Sequence, residues 1–253
     1  MPPPGSQGTC LLCRKTIKKK DAVSHARQCL EAQAWPRRKN PAFLIAVQGH
    51  RMGSHWLLLL AHKSCTLATL DSLIRDVWVE CCGHLSEFII QGQRFTRSAE
   101  YGEMDMGVSL SRVLSPGVQF LYEYDFGSTT TLDLNVIDVY PASPPNGTLC
   151  LLSRNNLPKV SCDICGSPAE FRLSDDDRES CTHLCRRCVV NSDHDPWCID
   201  VISNSPRDGV CGYEEDAGAA VTWYPPGWTH EDLLDPELES LLERVQEEDT
   251  GLR

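Results

Sequence analysis

The feature that most constrains this chain is the grouping of its cysteines. The sequence contains 14 cysteines, and half of them lie in two groups built around C-x2-C pairs. Such a pair places two thiolates on one side of a metal ion, and a second pair of ligands about 10 to 20 residues later completes a tetrahedral zinc site. The groups read C-x2-C-x11-H-x3-C and C-x2-C-x19-C-x2-C. They predict two zinc ions, bound by Cys10, Cys13, His25 and Cys29 in the first site and by Cys162, Cys165, Cys185 and Cys188 in the second.

Three further cysteines leave a third ion open as a prediction. Cys181 offers an alternative partner for Cys185, and Cys198 and Cys211 are the other candidate ligands. Four protein ligands leave no coordination position for water, so both main sites are expected to be structural. The remaining thiols lie in apolar company and are expected to pack in the core: they are Cys65, Cys81, Cys82 and Cys150.

The sequence shows no segment with the length of a membrane span. Residues 1–8 lack the apolar region of a secretory signal, and the longest apolar run, 56–61, is far shorter than the ~20 residues that cross a bilayer. We therefore expect a cytoplasmic protein, in which reduced thiols favour metal sites over disulfides.

Charge is distributed unevenly along the chain. The formal net charge is −11, yet residues 10–39 carry nine basic side chains against Asp21 and Glu31. A basic end on an acidic body restricts any contact with a phosphate backbone to that end. The alternative interpretation is a solvated basic surface without a partner. The candidate nucleic-acid contacts are Lys15, Lys18, Lys19, Lys20, Arg37 and Arg38.

Hydrophobic periodicity predicts an α+β domain in the middle of the chain. Apolar residues recur every three or four positions over 66–79, as in an amphipathic helix, whereas 130–137 alternates apolar and polar residues, as in a half-buried strand. We expect antiparallel strands with packed helices, flanked by an N-terminal zinc finger and a C-terminal zinc ribbon. The predicted order is a disordered leader (1–9), a C2HC finger (10–34), a linker (35–41), the α+β domain (42–148), a cysteine-rich zinc ribbon (149–215) and a C-terminal segment with an acidic amphipathic helix (216–253).

The sequence Tyr122-Glu123-Tyr124-Asp125-Phe126-Gly127-Ser128 resembles the Y-x-Y-D-F-G-[DS] signature of the plasmid pRi ORF-three-like family, also described as an insertion-element passenger or TnpR-type domain. Upstream, 66–75 and 84–90 resemble a helix and a strand of that family, so the resemblance covers about residues 42 to 140, and 204–213 is similar to a stretch that accompanies the domain. The resemblance implies a link to mobile elements and carries no established reaction. The serine-nucleophile motif of a resolvase is missing from the sequence.

The first cysteine group has the spacing of the ubiquitin-binding zinc fingers of DNA-repair proteins, which it resembles. Those fingers use an acidic residue between the histidine and the last cysteine, where this chain has Ala26-Arg27-Gln28. The resemblance therefore implies a hairpin with one helix, while the departure puts binding of ubiquitin-like proteins in doubt.

The candidate functional residues of the middle domain are Asp125, Glu123 and His84. An Asp-Phe-Gly-Ser sequence also suits a turn in which the carboxylate accepts backbone N–H groups. We expect a zinc-binding recognition protein that is not an enzyme, with nucleic acid at the basic finger and a protein partner at the acidic C-terminal helix. The alternatives are an enzyme that uses these three residues in a central cleft, and an adaptor that binds only proteins.

Overall fold

A computed structural model of the chain describes residues 6–32, 37–100, 102–142, 148–174, 181–192, 198–210 and 213; at 37–40, 142, 174 and 181 it describes the backbone alone. The strands are β1 (Gln7–Cys10), β2 (Thr16–Lys18), β3 (Arg37–Gly49), β4 (Met52–His62), β5 (Ser86–Ile90), β6 (Gln93–Thr96), β7 (Met104–Asp105), β8 (Gln119–Tyr124), β9 (Thr130–Ala142), β10 (Leu149–Asn155), β11 (Phe171–Ser174), β12 (Cys181–Leu184) and β13 (Ile199–Val201). The helices are α1 (Ala22–Ala32), α2 (Leu67–Ile74), α3 (Leu110–Val113) and α4 (Arg186–Val190).

Ten strands form one large sheet, in the order β2-β1-β10-β4-β3-β9-β8-β5-β6-β7. All of its pairings are antiparallel except β6 with β7. A second sheet has the order β12-β11-β13. The predicted α+β class with antiparallel strands and packed helices is confirmed.

The central strands are buried on both faces, which explains why β4 reads as a continuous apolar run. Side chains alternate across a strand, so Leu57 and Leu59 join the core under α2, whereas Trp56 and Leu58 join a second core under α1. Two helical layers thus cover opposite sides of the same sheet.

The helix predicted over 66–79 is present in two parts. The Thr66 side chain accepts a hydrogen bond from the backbone N–H of Thr69 and caps α2. A π-helical turn, Arg75–Val79, follows directly and buries Trp78 completely. The apolar spacing of this segment therefore supplies the main layer on one face of the sheet.

The finger is built into the large sheet, which differs from the predicted order of independent modules. Its strand β1 pairs with β10 through Gly8 and Asn155, and β10, assigned by sequence to the ribbon, lies between β1 and β4. Residues 37–41, predicted as linker, belong to β3. Backbone pairing over long sequence separations accounts for these differences, since local composition carries no information about it.

After β13 the segment 202–210, here called the return segment, packs on the large sheet: the Ser205 hydroxyl donates to the Trp78 carbonyl, and Asn204 Nδ2 donates to the Asn155 carbonyl at 3.0 Å. The predicted acidic helix and Cys211 lie outside the described residues. Within the described ranges, no helix has the length and apolarity of a membrane span.

Candidate metal centres and signature turn

The first cysteine group forms a compact cluster at the base of the finger. Cys10 Sγ lies 3.9 Å from Cys29 Sγ, and His25 Nε2 lies 3.2 Å from the sulfur atoms of both Cys13 and Cys29. A tetrahedral ion with bonds of about 2.0 to 2.3 Å separates its ligands by similar distances. The four side chains can therefore hold one metal ion.

Local structure explains this arrangement. Cys10 ends β1, and the next turn returns the chain so that the Arg14 N–H donates to the Cys10 carbonyl at 2.8 Å, with Arg14 in the left-handed region at φ 59°. His25 and Cys29 lie four residues apart on α1 and so share one helix face. The turn and the helix each supply two ligands.

Burial raises the pKa of the Cys10 thiol to about 12, although the backbone N–H groups of Leu12 and Cys13 act in the opposite direction. A thiolate at this position therefore needs a nearby cation at neutral pH. A metal ion held by the four side chains would supply that cation.

The second cysteine group also forms a compact cluster, at one end of the small sheet. Cys165 Sγ lies 3.5 Å from Cys185 Sγ, and the four sulfur atoms can hold one ion. Gly166 at φ 73° turns the chain after the first pair, and its N–H donates to the Cys162 carbonyl at 2.8 Å. Hydrogen bonds from the hydroxyl and the backbone N–H of Ser167 lower the pKa of Cys165 to about 6.

Of the three candidate extra ligands, the structure describes the side chain of Cys198 alone. Among the described side chains, Cys198 belongs to none of the cysteine and histidine groups that can hold an ion. Cys181 lies in β12 with only its backbone described, and Cys211 lies outside the described residues. The extra ligands stay predictions.

The four cysteines that were predicted to be core residues differ in burial. Cys65 and Cys150 are buried, as expected, whereas Cys81 is half-buried and Cys82 is exposed. The prediction is wrong for Cys82, because it lies in the loop between the π-helical turn and β5, where the chain turns at Gly83 with φ 79°.

Asp125 occupies a left-handed turn at the end of β8, with φ 63°. Its Oδ1 accepts hydrogen bonds from the backbone N–H groups of Gly127 at 3.0 Å and Ser128 at 3.3 Å. The turn role suggested by the sequence is therefore present. The same carboxylate also pairs with Arg207, whose Nη2 lies 2.7 Å from Asp125 Oδ2.

Arg207 is a residue that the sequence reasoning missed. Its side chain is 0% exposed, donates to Thr130 Oγ1 at 3.0 Å, and stacks on the Tyr124 ring with its guanidinium carbon 4.8 Å from the ring centroid. The hydrogen bond from Arg207 lowers the pKa of Asp125 to about 2. The similarity of 204–213 to a stretch accompanying this domain is the sequence signal that could have identified it.

A second buried network lies beside this pair, centred on Asp71. This fully buried carboxylate accepts from the hydroxyls of Tyr122 at 2.8 Å and Ser86 at 2.6 Å, and it pairs with Arg75 and Arg97. Arg75 also stacks on Tyr124, and its guanidinium carbon lies 4.8 Å from the centroid of that ring. Both tyrosines of the signature are thus held by charged groups that come from other elements.

Of the three candidate functional residues, the structure brings two together. His84 Nδ1 lies 3.7 Å from Asp125 Oδ1. Glu123 faces the other side of the sheet, because side chains alternate along β8 and its neighbours Tyr122 and Tyr124 point into the core. A cleft that uses all three residues is therefore not formed.

A groove runs across the face of the sheet on which Glu123 lies. Its volume is about 570 Å3, and it lies between the start of the finger helix and the strands β4, β3, β9, β8 and β5. Lys19 lies in the groove and donates to Gln48 Oε1 at 3.0 Å and to the Gly53 carbonyl at 2.9 Å. Burial lowers the pKa of Lys19.

The other candidate nucleic-acid contacts lie around β2 of the finger and at the start of β3. Lys15, Lys18 and Lys20 are exposed around β2, the outermost strand of the large sheet. Arg37 and Arg38 begin β3, with their backbone alone described.

The chain has no match among curated proteins. Among solved structures it is similar to MM3350 from Methanosarcina mazei Go1, a protein of unknown function, with a TM-score of 0.40 and 16% sequence identity over 44% of this chain and 67% of that chain. The model of the family described as plasmid pRiA4b ORF-3-like protein matches residues 53–205, more than half of the chain, and the match includes the signature turn and the second cysteine group. The chain therefore belongs to the plasmid pRiA4b ORF-3-like family.

Proposed function

We propose that this protein is a non-enzymatic, zinc-stabilised recognition protein that binds its ligand in the groove between the finger and the sheet. The observation that carries the proposal is that the groove is lined by residues from two parts of the chain. Lys19, Ala22 and Val23 of the finger form one wall, and the floor comes from strands of the central sheet. The finger thus completes a binding site on the domain of the family.

The donor sets favour zinc as the ion in both clusters. Three cysteines with one histidine, and four cysteines, are the usual ligands of structural zinc. Binding of structural zinc contributes on the order of 10 kcal/mol, which exceeds the stability margin of a small domain. Since His25 and Cys29 lie on α1, the zinc ion of the finger holds the helix that forms the wall of the groove.

Size and lining favour a ligand with an apolar body. Pockets of about 300 to 1,000 Å3 hold ligands of drug size or several side chains of a peptide. Trp56, Leu58, Ile89 and Leu121 supply apolar surface, and Gln48 and Asp133 lie among the polar residues of the lining. Such a surface suits an apolar peptide segment or a compact organic molecule.

A filled groove tests the proposal. Ala46 is a half-buried residue of the lining. The larger side chain of Ala46→Trp should therefore occupy the groove and lower the affinity of the protein for the probe 1-anilinonaphthalene-8-sulfonate at least tenfold. Ala32→Trp, at the exposed end of α1, is the matched control and should bind the probe normally. Equal affinity in both variants, at equal zinc content, would refute groove binding.

A second candidate function is contact with nucleic acid through the basic finger. The observation in its favour is the exposed position of Lys15, Lys18 and Lys20 at the edge of the large sheet. Lysines on an edge strand also prevent strand pairing between molecules, which is the competing explanation.

Fluorescence anisotropy with a labelled single-stranded oligonucleotide distinguishes these two roles. Nucleic-acid contact predicts binding that weakens as salt increases, and a smaller salt dependence when Lys15, Lys18 and Lys20 are changed to Gln. Absence of binding at low salt would eliminate this candidate and leave the groove proposal intact.

A further inference from the structure

A third group of metal-binding side chains lies outside both zinc clusters, in the loop of residues 80–84. Cys82 Sγ lies 2.9 Å from His84 Nε2 and 3.4 Å from Cys81 Sγ. The ligand atoms of the three residues all lie within 4.8 Å of one another. The two sulfur atoms are too far apart for a disulfide, whose bond length is about 2.05 Å.

The family signature holds this loop in place. The Tyr124 hydroxyl accepts the backbone N–H of Cys81 at 3.4 Å and that of His84 at 3.3 Å, and it donates to Glu80 Oε1 at 2.8 Å. Glu80 Oε1 in turn accepts the Gly83 N–H at 2.6 Å. Hydrogen bonds at both ends and at the turn therefore fix the backbone on which the three ligands are mounted.

The histidine has the orientation of a metal ligand. Its Nε2 faces Cys82, while its Nδ1 lies 3.7 Å from Asp125 Oδ1. Histidines that bind metals usually direct their second ring nitrogen toward a carboxylate, which orients the ring and raises its basicity. Asp125 is itself fixed by Arg207, so the signature aspartate and the return segment together position His84.

We propose that Cys81, Cys82 and His84 bind a third zinc ion. Two thiolates and a neutral imidazole compensate the charge of Zn2+ and match its preference for sulfur and nitrogen donors. This site is separate from the groove and does not depend on the proposed recognition function.

Among the described residues the third site has three ligands, which leaves one coordination position open, unlike the two four-ligand clusters. The two carboxylates beside the loop already have partners: the oxygens of Glu80 accept from Tyr124, Gly83 and Arg75, and those of Asp125 accept from Arg207 and two backbone N–H groups. Cys82 is exposed, so solvent reaches the cluster. Three protein ligands with one exchangeable position are the arrangement of zinc ions that bind small molecules.

Metal content measured by mass spectrometry tests the proposal. The full chain is equilibrated with Zn2+, freed of loosely bound ions on a desalting column, and compared with His84→Asn and Cys82→Ser. Each variant should lose one zinc ion per chain relative to the unchanged protein. His50→Asn is the control, since His50 is an exposed histidine outside all the clusters found among the described residues, and it should keep the full complement. An equal zinc content in all four proteins would overturn the proposal.

A second measurement examines the open position and does not rely on the variants alone. Replacement of zinc by Co2+ makes each site visible by absorption, and azide should change the ligand-field bands only at a site with an exchangeable ligand. The unchanged protein and His50→Asn should respond to azide, whereas His84→Asn should not. A spectrum of the unchanged protein that is insensitive to azide would refute the open position.

Discussion

Arg207 and Arg27 make ion pairs of the same length in very different surroundings. Each guanidinium lies 2.7 Å from its carboxylate, but the side chains of Arg207 and Asp125 are 0% and 6% exposed, whereas those of Arg27 and Asp138 are 48% and 50% exposed. Replacement of each arginine by methionine therefore isolates the effect of burial. We expect Arg207→Met to lower the free energy of unfolding far more than Arg27→Met.

The structure sets the magnitude of this difference. Removal of one partner of a buried pair costs about 3 to 5 kcal/mol, because the other charge stays buried without compensation. Asp125 keeps its hydrogen bonds from Gly127 and Ser128, so the lower end, about 3 kcal/mol, is expected for Arg207→Met. Exposed pairs contribute about 0 to 1 kcal/mol, which sets the expectation for Arg27→Met.

Urea denaturation at a fixed concentration of free zinc measures both values. The buried side chains of Trp56 and Trp78 supply a fluorescence signal from the two faces of the sheet. Addition of Asp125→Asn to Arg207→Met removes the uncompensated charge and should recover part of the loss. Equal losses of stability in the two single variants, or a double variant that is the least stable of the proteins, would refute the role assigned to burial.

Three further outcomes are expected. Burial lowers the pKa of His55 to about 4, and the charge of Arg154 adds to this effect. The stability of the folded protein should therefore fall as the pH decreases from about 6.5 to 4, by at most about 3 kcal/mol. Urea titrations at several pH values should show this slope as a difference between His55→Gln and the unchanged protein. A Cβ atom at Gly8 would lie 2.2 Å from the Arg154 carbonyl and 2.5 Å from a ring carbon of Trp56, so Gly8→Ala should cost about 1 to 3 kcal/mol and loosen β1, whereas normal hydrogen exchange in β1 would contradict this packing. Removal of the proposed zinc ions by a chelator should unfold the finger and the ribbon while the central strands keep their circular dichroism, and retention of the finger under those conditions would argue against a structural role for its ion.

The local elements of this protein could be predicted because short-range chemistry specifies them. The four-residue separation of His25 and Cys29 places both ligands on one helix face, and the apolar spacing of 66–79 predicted the helical layer formed by α2 and the turn after it. The Y-x-Y-D-F-G sequence predicted the family, and the match over residues 53–205 confirms it.

The site around the signature turn could not be predicted, because its members come from distant parts of the chain. Arg207 reaches Asp125 across 82 residues and Tyr122 reaches Asp71 across 51. The neighbouring sequence does not distinguish an arginine that will be buried from one that will be exposed. The pairing of β1 with β10 likewise joins residues that lie more than one hundred positions apart, so the groove under the finger could not be inferred from either segment.

Ligand spacing and hydrophobic periodicity are local properties, and they were sufficient to predict the two side-chain clusters that can hold a metal ion, the helix under the sheet and the α+β class. Strand order, the partners of the signature residues and the convergence of Cys81, Cys82 and His84 on one point depend on which backbone groups and charges meet after the chain has folded. The contribution of a side chain to stability also depends on its burial. Arg27 and Arg207 have the same side chain, but only Arg207 is buried in the folded protein.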